Sequence, residues 1–213
     1  MKVHNAKKTL RVVITGAGEG VGHACAAAFA RRGAELILTD SDGIALTRAG
    51  DLLGAHARFC DVASEASVAI FAADIAQDFD TFDVLINAAG NGYVRSLGMM
   101  RMSSALLPLL RRGCGNRLIV NVAPSHGLCD RHGMFPHAGS QQGFQKLSDA
   151  LALKTKGSSI AVVVVPPALR PLPVAGEREL GWDANGIAER IVDLVRGQRS
   201  EWAPVAPPSR RRA

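Results

Sequence analysis

The densest chemical signal in the chain is Thr15-Gly16-Ala17-Gly18-Glu19-Gly20-Val21-Gly22. Glycines let a backbone turn tightly and come close to a pyrophosphate, and a helix starting there turns its positive end to that anion. The spacing is G-x-x-x-G-x-G rather than G-x-G-x-x-G. Asp40 lies at the end of the next apolar run. A carboxylate there accepts hydrogen bonds from adenosine ribose hydroxyls and repels a 2′-phosphate, and Glu19 adds a second negative charge. Together they predict NAD in preference to NADP. Further along stand Ser125 next to His126, His137, and the single tyrosine, Tyr93. An imidazole ordinarily titrates near ~6.5, so His137 suits proton transfer, or it is a half-exposed histidine opening a helix. Ser125 and His126 are a nucleophile–base pair in composition, with no acid spaced to orient the histidine. His126, Cys129, Asp130, His132 and His137 have metal-like composition but no matching second pair of ligands, and no metal site is expected.

These groups need a scaffold, and the pattern of apolar runs supplies one. Strand-like segments 10–15, 34–40, 57–62, 82–90, 117–123 and 159–166 alternate with helical ones at 22–32, 43–53, 65–78, 95–112, 138–156 and 185–196. The strands are apolar throughout, as strands buried on both faces are. The reading is a single-domain α/β fold, a three-layer doubly wound parallel sheet of Rossmann-like kind. Gly54 is placed to stop one helix and Ser64 to cap the next, with Glu65 near its positive end. The stretches 124–137 and 166–184 read as irregular and follow strands, so both border the crevice beyond the strand ends. The domain is expected to cover residues 1–202, with 203–213 a Pro-rich basic tail.

With TGAGEGVG (15–22), Asp40, CDV (60–62), NAAG (87–90), LIVNV (118–122) and HAGSQQGF (137–144) in order, the chain resembles the short-chain dehydrogenase/reductase family over roughly residues 9–170. The resemblance implies cofactor contacts from Gly16, Gly18, Glu19, Gly20, Val21, Gly22 and Asp40. It implies that Asp61 and Val62 flank the adenine, and that Asn87, Ala88 and Gly90 support the cofactor and the central strand.

The same resemblance exposes departures. The family uses a tyrosine with a lysine four residues later, a serine and an asparagine. Matching the motifs puts His137 at the tyrosine, Gln141 at the lysine, Pro124 at the serine with Ser125 one residue on, and Arg95 at the asparagine. The remaining candidates for catalysis are therefore His137, Gln141 and Ser125. Substrate-side loops are short, while the nucleotide side is intact. This polarity predicts an NAD(H)-binding protein without the standard hydride-transfer chemistry, a degenerate dehydrogenase acting as sensor or subunit. The competing reading is an NAD-dependent oxidoreductase on a small alcohol or carbonyl, with a non-standard proton donor such as His137.

Composition narrows the partners. Of 213 residues, 47% are hydrophobic and 21% charged, which suits a packed core. The net charge of +6 comes from the ends: Lys2, Lys7, Lys8, Arg11 and Arg210 to Arg212 are seven of 25 bases, and the other 18 face 19 acids. No nucleic-acid partner is expected. Inside, residues 35–83 carry ten acids and two bases, and residues 95–170 ten bases and two acids, blocks of −8 and +8 expected to neutralise each other. No apolar run reaches the ~18 residues of a membrane span, and four cysteines without paired spacing suit a reducing compartment. The expectation is a cytoplasmic protein with no membrane partner, binding a dinucleotide, its substrate unread. The apolar face of 95–112 suits a core or a homodimer or homotetramer contact.

Overall fold

The computed structural model describes residues 9–90, 92–123, 137–166, 169–171 and 180–197. Six parallel strands form one sheet: β1 (Arg11–Thr15), β2 (Glu35–Thr39), β3 (His56–Ala57), β4 (Val84–Asn87), β5 (Arg117–Val122) and β6 (Ile160–Val165). Their order across the sheet is β3-β2-β1-β4-β5-β6. The order reverses between β1 and β4, paired in register from Val12 opposite Val84 to Thr15 opposite Asn87. A doubly wound sheet opens its crevice at that reversal.

Helices α1 (Gly20–Ala30), α2 (Gly43–Leu53) and α6 (Ala184–Gly197) cover one face. On the other lie α3 (Glu65–Asp78), α4 (Gly92–Arg111) and α5 (His137–Thr155). The first face packs Val12, Ile14, Leu36 and Leu38 against Cys25, Phe29, Ile187 and Ile191. The second packs Val13, Ile37, Leu85 and Ile119 against Phe71, Ile75, Met102 and Leu106. Alternate residues of one strand thus feed two separate cores, which is why the central strands carry no polar face. Helix ends follow local chemistry. Ser64 caps α3, its hydroxyl accepting from Ser67 N at 3.3 Å, and Gly54 ends α2 in the left-handed region.

The last helix lies on the first. Ile187, Ala188, Ile191 and Val192 are buried in the same cluster as Ala24, Ala28 and Phe29. At the rim Glu189 accepts from Arg32 at 2.5 Å and Arg31 at 3.1 Å. The Arg32 hydrogen bond holds the Glu189 carboxyl below its ordinary value.

Several expectations need correction. The third strand pairs only over His56–Ala57 rather than 57–62. Backbone bonds Arg58 N to Leu38 O and Cys60 N to Asp40 O still carry the chain alongside β2. The strand β6 is the sheet edge, with Ala161 exposed and Val162 to Val164 half-buried, so it is not covered on both faces. The stretch 166–184 contains a small antiparallel pair, β7 (Leu169–Pro171) and β8 (Leu180–Trp182). The tail 203–213 and most of 124–137 lie outside the described residues.

The two charge blocks, expected to neutralise each other, meet at few points among the described residues. Among the described residues one ion pair joins them, Arg117 with Asp83. Other arginines of the basic block donate to backbone carbonyls instead: Arg101 to Ala63 O at 2.6 Å and Arg111 to Lys154 O at 2.9 Å. The Arg117–Asp83 pair is buried at the amino ends of β4 and β5, where Asp83 also accepts from Arg11 N at 2.9 Å. Removing one partner of a buried pair strands the other charge. Arg117→Ala should therefore lower unfolding free energy by about 3 kcal/mol in a denaturant titration. Arg58→Ala, which breaks the exposed pair with Asp78, should cost less than about 1 kcal/mol; equal losses would refute the distinction.

Candidate crevice at the strand carboxyl ends

The glycine turn is built onto the reversal between β1 and β4. Gly16 adopts φ +68°, and a Cβ there would lie 2.8 Å from Ala89 Cα, so only glycine lets the turn touch the end of β4. At Gly22, inside α1, a Cβ would drive into the carbonyl oxygen of Gly16. The helix therefore sits directly against the turn, with its first amides facing the crevice. Between these glycines lie Gly18, half-buried, and Glu19 and Gly20, both exposed, with Val21 half-buried. Glu19 occupies the N-cap position of α1 in an extended conformation without a side-chain cap.

Two side chains hold the turn. Asp40, just past β2, accepts from Gly18 N at 2.9 Å through Oδ2 and from Asp42 N at 3.0 Å through Oδ1. Its negative charge is thereby fixed at the rim of the turn, and each oxygen keeps a lone pair for a further donor. His23 of α1 donates through Nδ1 to Ala17 O at 3.2 Å. Asp61 is half-buried and accepts from Ala63 N at 2.8 Å; Val62 is buried against Gly98 of α4. Both follow β3 on the same side of the sheet's carboxyl edge as Asp40, so the expected adenine-side residues stand together.

A residue that sequence reasoning passed over joins the two halves. Thr15, 1% exposed, accepts from Ala88 N and Ala89 N, each at 3.0 Å, and its hydroxyl lies 3.5 Å from Ile86 O. In the sequence it is only the β-branched end of an apolar run. Two amides that leave the ladder past β4 are satisfied there, and buried amides left without partners are costly.

Beneath the crevice runs a buried polar chain. Asn87 Nδ2 donates to Ser103 Oγ at 3.0 Å and to Asn121 Oδ1 at 2.9 Å. Asn121 Nδ2 donates to Ser148 Oγ at 3.1 Å, and that hydroxyl lies 3.4 Å from Met99 Sδ. The chain ties β4 and β5 to α4 and α5. Ala88 is buried and Gly90 exposed at the lip.

On the lip itself lies Arg95, in the first turn of α4 and half-buried. Its Nε donates to Gly90 O at 2.8 Å, and its Nη1 reaches Val122 O at 3.4 Å and Ala123 O at 3.5 Å. Burial pulls this guanidinium below its ordinary value. His137 and Gln141 both fall in the first turns of α5, four residues apart on one helix face, while their side chains lie outside the described residues. Ser125, with His126, Cys129 and His132, is also outside them. Among the described residues no group of three metal-ligating side chains converges, and no helix is long and apolar enough to cross a membrane.

A family model described as short chain dehydrogenase matches residues 10–171. Over 201 residues the chain is 29% identical to the L-fucose dehydrogenase of Oryctolagus cuniculus, a match covering 79% of this chain and 69% of that protein. Among solved structures, it is similar to a short chain dehydrogenase/reductase from Burkholderia phymatum in complex with NAD. That likeness has a TM-score of 0.74 and 22% identity, covering 90% of this chain and 87% of the other. A metagenomic short-chain oxidoreductase in complex with NADP gives a TM-score of 0.69 at 21% identity, covering 92% of this chain and 94% of that one. Both likenesses are of fold.

Thr15 offers a direct test of the crevice's construction. Thr15→Val keeps the shape but strands the amides of Ala88 and Ala89, and should cost about 2 kcal/mol of unfolding free energy. Faster hydrogen exchange at those two amides should accompany the loss. Thr15→Ser keeps the hydroxyl and should restore slow exchange; if both variants exchange alike, the hydroxyl is not the tie.

Proposed function

The chain belongs to the short chain dehydrogenase family, and from that footing we propose that it binds NAD(H) without the standard hydride-transfer chemistry, as a degenerate dehydrogenase serving as a sensor or subunit. One observation carries the reading. The nucleotide half is complete, from Gly16 through Gly22 to Asp40, while His137 and Gln141 stand where the family resemblance places tyrosine and lysine.

The residues present fit a dinucleotide. Gly16 and Gly22 let the turn pack directly on the end of β4 and on α1, where a Cβ would meet Ala89 or the Gly16 carbonyl. They thereby bring the turn to the positive end of α1. Gly18, Gly20 and Val21 line the same turn. Asp40 would receive the adenosine ribose hydroxyls, and with Glu19 it disfavours a 2′-phosphate, giving NAD preference over NADP. Asp61 and Val62 would flank the adenine, and Asn87, Ala88 and Gly90 would floor the nicotinamide side. A bound nicotinamide would supply hydride chemistry; the proton that must move with it meets His137, not a tyrosine, at the position the family resemblance assigns. The lysine's two tasks, lowering that phenol's pKa and holding the ribose, fall to neutral Gln141, which can do only the second.

The competing reading keeps catalysis. Relatives such as the L-fucose dehydrogenase favour an NAD-dependent oxidoreductase acting on a small alcohol or carbonyl, with His137 as proton donor and Ser125 and Gln141 beside it. Imidazole titrates in the right range for this work. Its ring is shorter than a phenol, and no cation stands four residues on.

Titration of NADH followed by fluorescence should give saturable binding, and none at millimolar concentration would sink both readings. Asp40→Ser should shift the NADPH-to-NADH affinity ratio by about tenfold toward NADPH, the loss of one charged hydrogen-bond acceptor. A panel of alcohols and ketones, watched at the NADH absorbance band, separates the readings. Silence across the panel is the expected result; turnover that His137→Ala abolishes would install the competing one.

A further inference from the structure

We propose that Arg95 makes the substrate side of the crevice a receptor for an oxyanion, so that the ligand held beside the dinucleotide is a small carboxylate or phosphate. The inference rests on the crevice being a dinucleotide site and adds the chemical class of the second ligand.

The position is one at which the family resemblance expects a neutral asparagine. Here it carries a guanidinium, anchored by a single short hydrogen bond, Nε to Gly90 O at 2.8 Å. The other contacts, 3.4 Å to Val122 O and 3.5 Å to Ala123 O, are at the weak end of hydrogen-bond range. Nη2 makes no hydrogen bond to any described residue. A guanidinium has five donors in a planar fork that matches a carboxylate or phosphate edge. One donor is spent firmly, two contacts are loose, and no described residue takes the Nη2 pair.

Among the described residues that charge is uncompensated. All three partners are carbonyls, and no carboxylate pairs with Arg95 among the described residues. The sequence block from 95 to 170 carries +8, and Arg101 and Arg111 of that block are likewise satisfied by carbonyls rather than acids. Arg95 also stands in the first turn of α4, where a cation faces the like-signed end of the helix and is disfavoured. A cation held against its helix, half-buried and without a carboxylate among the described residues, is a group suited to a partner that arrives from outside.

The location fixes which ligand this serves. Gly90 follows β4, and Val122 and Ala123 end β5, so the fork lies across the strand ends from Asp40 and the glycine turn. The two ends of the crevice carry opposite signs, negative at the ribose rim and positive at the substrate lip. An anionic substrate or effector is thereby drawn to one end only. Arg is preferred over Lys for such a task because the fork orients its partner.

The test compares matched probes on the full chain, with and without NADH: glycerol 3-phosphate against glycerol, and lactate against lactamide. By calorimetry each anion should bind at least tenfold more tightly than its neutral counterpart, and the better of the two assigns phosphate or carboxylate. Arg95→Gln should erase the preference, and Arg95→Lys should keep part of it. Phenylglyoxal labelling of Arg95, read by peptide mass, should be slowed by the anion and not by its neutral counterpart, a measurement that needs no variant. Equal affinity for anion and neutral probe, or a preference that survives Arg95→Gln, overturns the proposal. NADH binding without anion preference removes this inference and spares the dinucleotide reading. Anion preference without NADH binding removes the dinucleotide reading and overturns the placement beside a dinucleotide, leaving only the oxyanion site at Arg95.

Discussion

The tie at the end of β1 governs everything built around the crevice. The hydroxyl of Thr15 receives the amides of Ala88 and Ala89, and Gly16 has no Cβ to keep the following turn off that strand. The strand order reverses here, so β1 and β4 send their helices to opposite faces and the chains must part. Without a shared hydrogen-bond acceptor, two amides would be buried unsatisfied where the ladder ends. With it, the glycine turn on one side and Gly90 on the other are held at a fixed spacing. Arg95 depends on the same tie, since its one short bond is to Gly90.

Below that seam the core changes character. Aliphatic packing alone would let helices slide by small amounts at little cost. The chain from Ser103 through Asn87 and Asn121 to Ser148 prevents this, because its members find partners in one arrangement only. The sheet's carboxyl edge thereby acquires a rigid floor tied to α4 and α5, the helices that carry Arg95 and the His137–Gln141 face. The adenine side is held differently, by one carboxylate, Asp40, bridging two turns. The rigid and the lightly bridged halves meet at Thr15.

Much of this was legible in the residues. Apolar runs alternating with helical ones gave the doubly wound sheet, because burial on both faces removes every polar position from a central strand. Gly54 and Ser64 marked helix ends through chemistry confined to a few neighbours. The glycine turn was legible for the same reason. Thr15 was not, since a threonine ending an apolar strand reads as a β-branched filler until the partner strand is seen. The role of Arg95 was hidden too. Its identity was plain as a departure from the family pattern, but its partners are backbone carbonyls from residues 90, 122 and 123, which no side-chain pattern announces. The third strand was overextended because its continuation beside β2 is carried by isolated backbone bonds rather than a full ladder. The short pair β7–β8 has three residues a side, too few for any period to show. The charge blocks misled for a different reason: Arg95, Arg101 and Arg111 turn to carbonyls, so counting opposite charges did not predict which residues pair.

The contact between the first and last helices bears on how the chain comes to be folded at all. Ala24, Ala28 and Phe29 of α1 are covered by Ile187, Ala188, Ile191 and Val192 of α6. Synthesis proceeds at roughly 5–20 residues per second, so on the order of ten to thirty seconds pass between the appearance of α1 and of its cover. Throughout that interval the most glycine- and alanine-rich of the described helices presents its core face to water or to chaperones. The first βα unit is thus made early in the chain but sealed only once α6 has followed it.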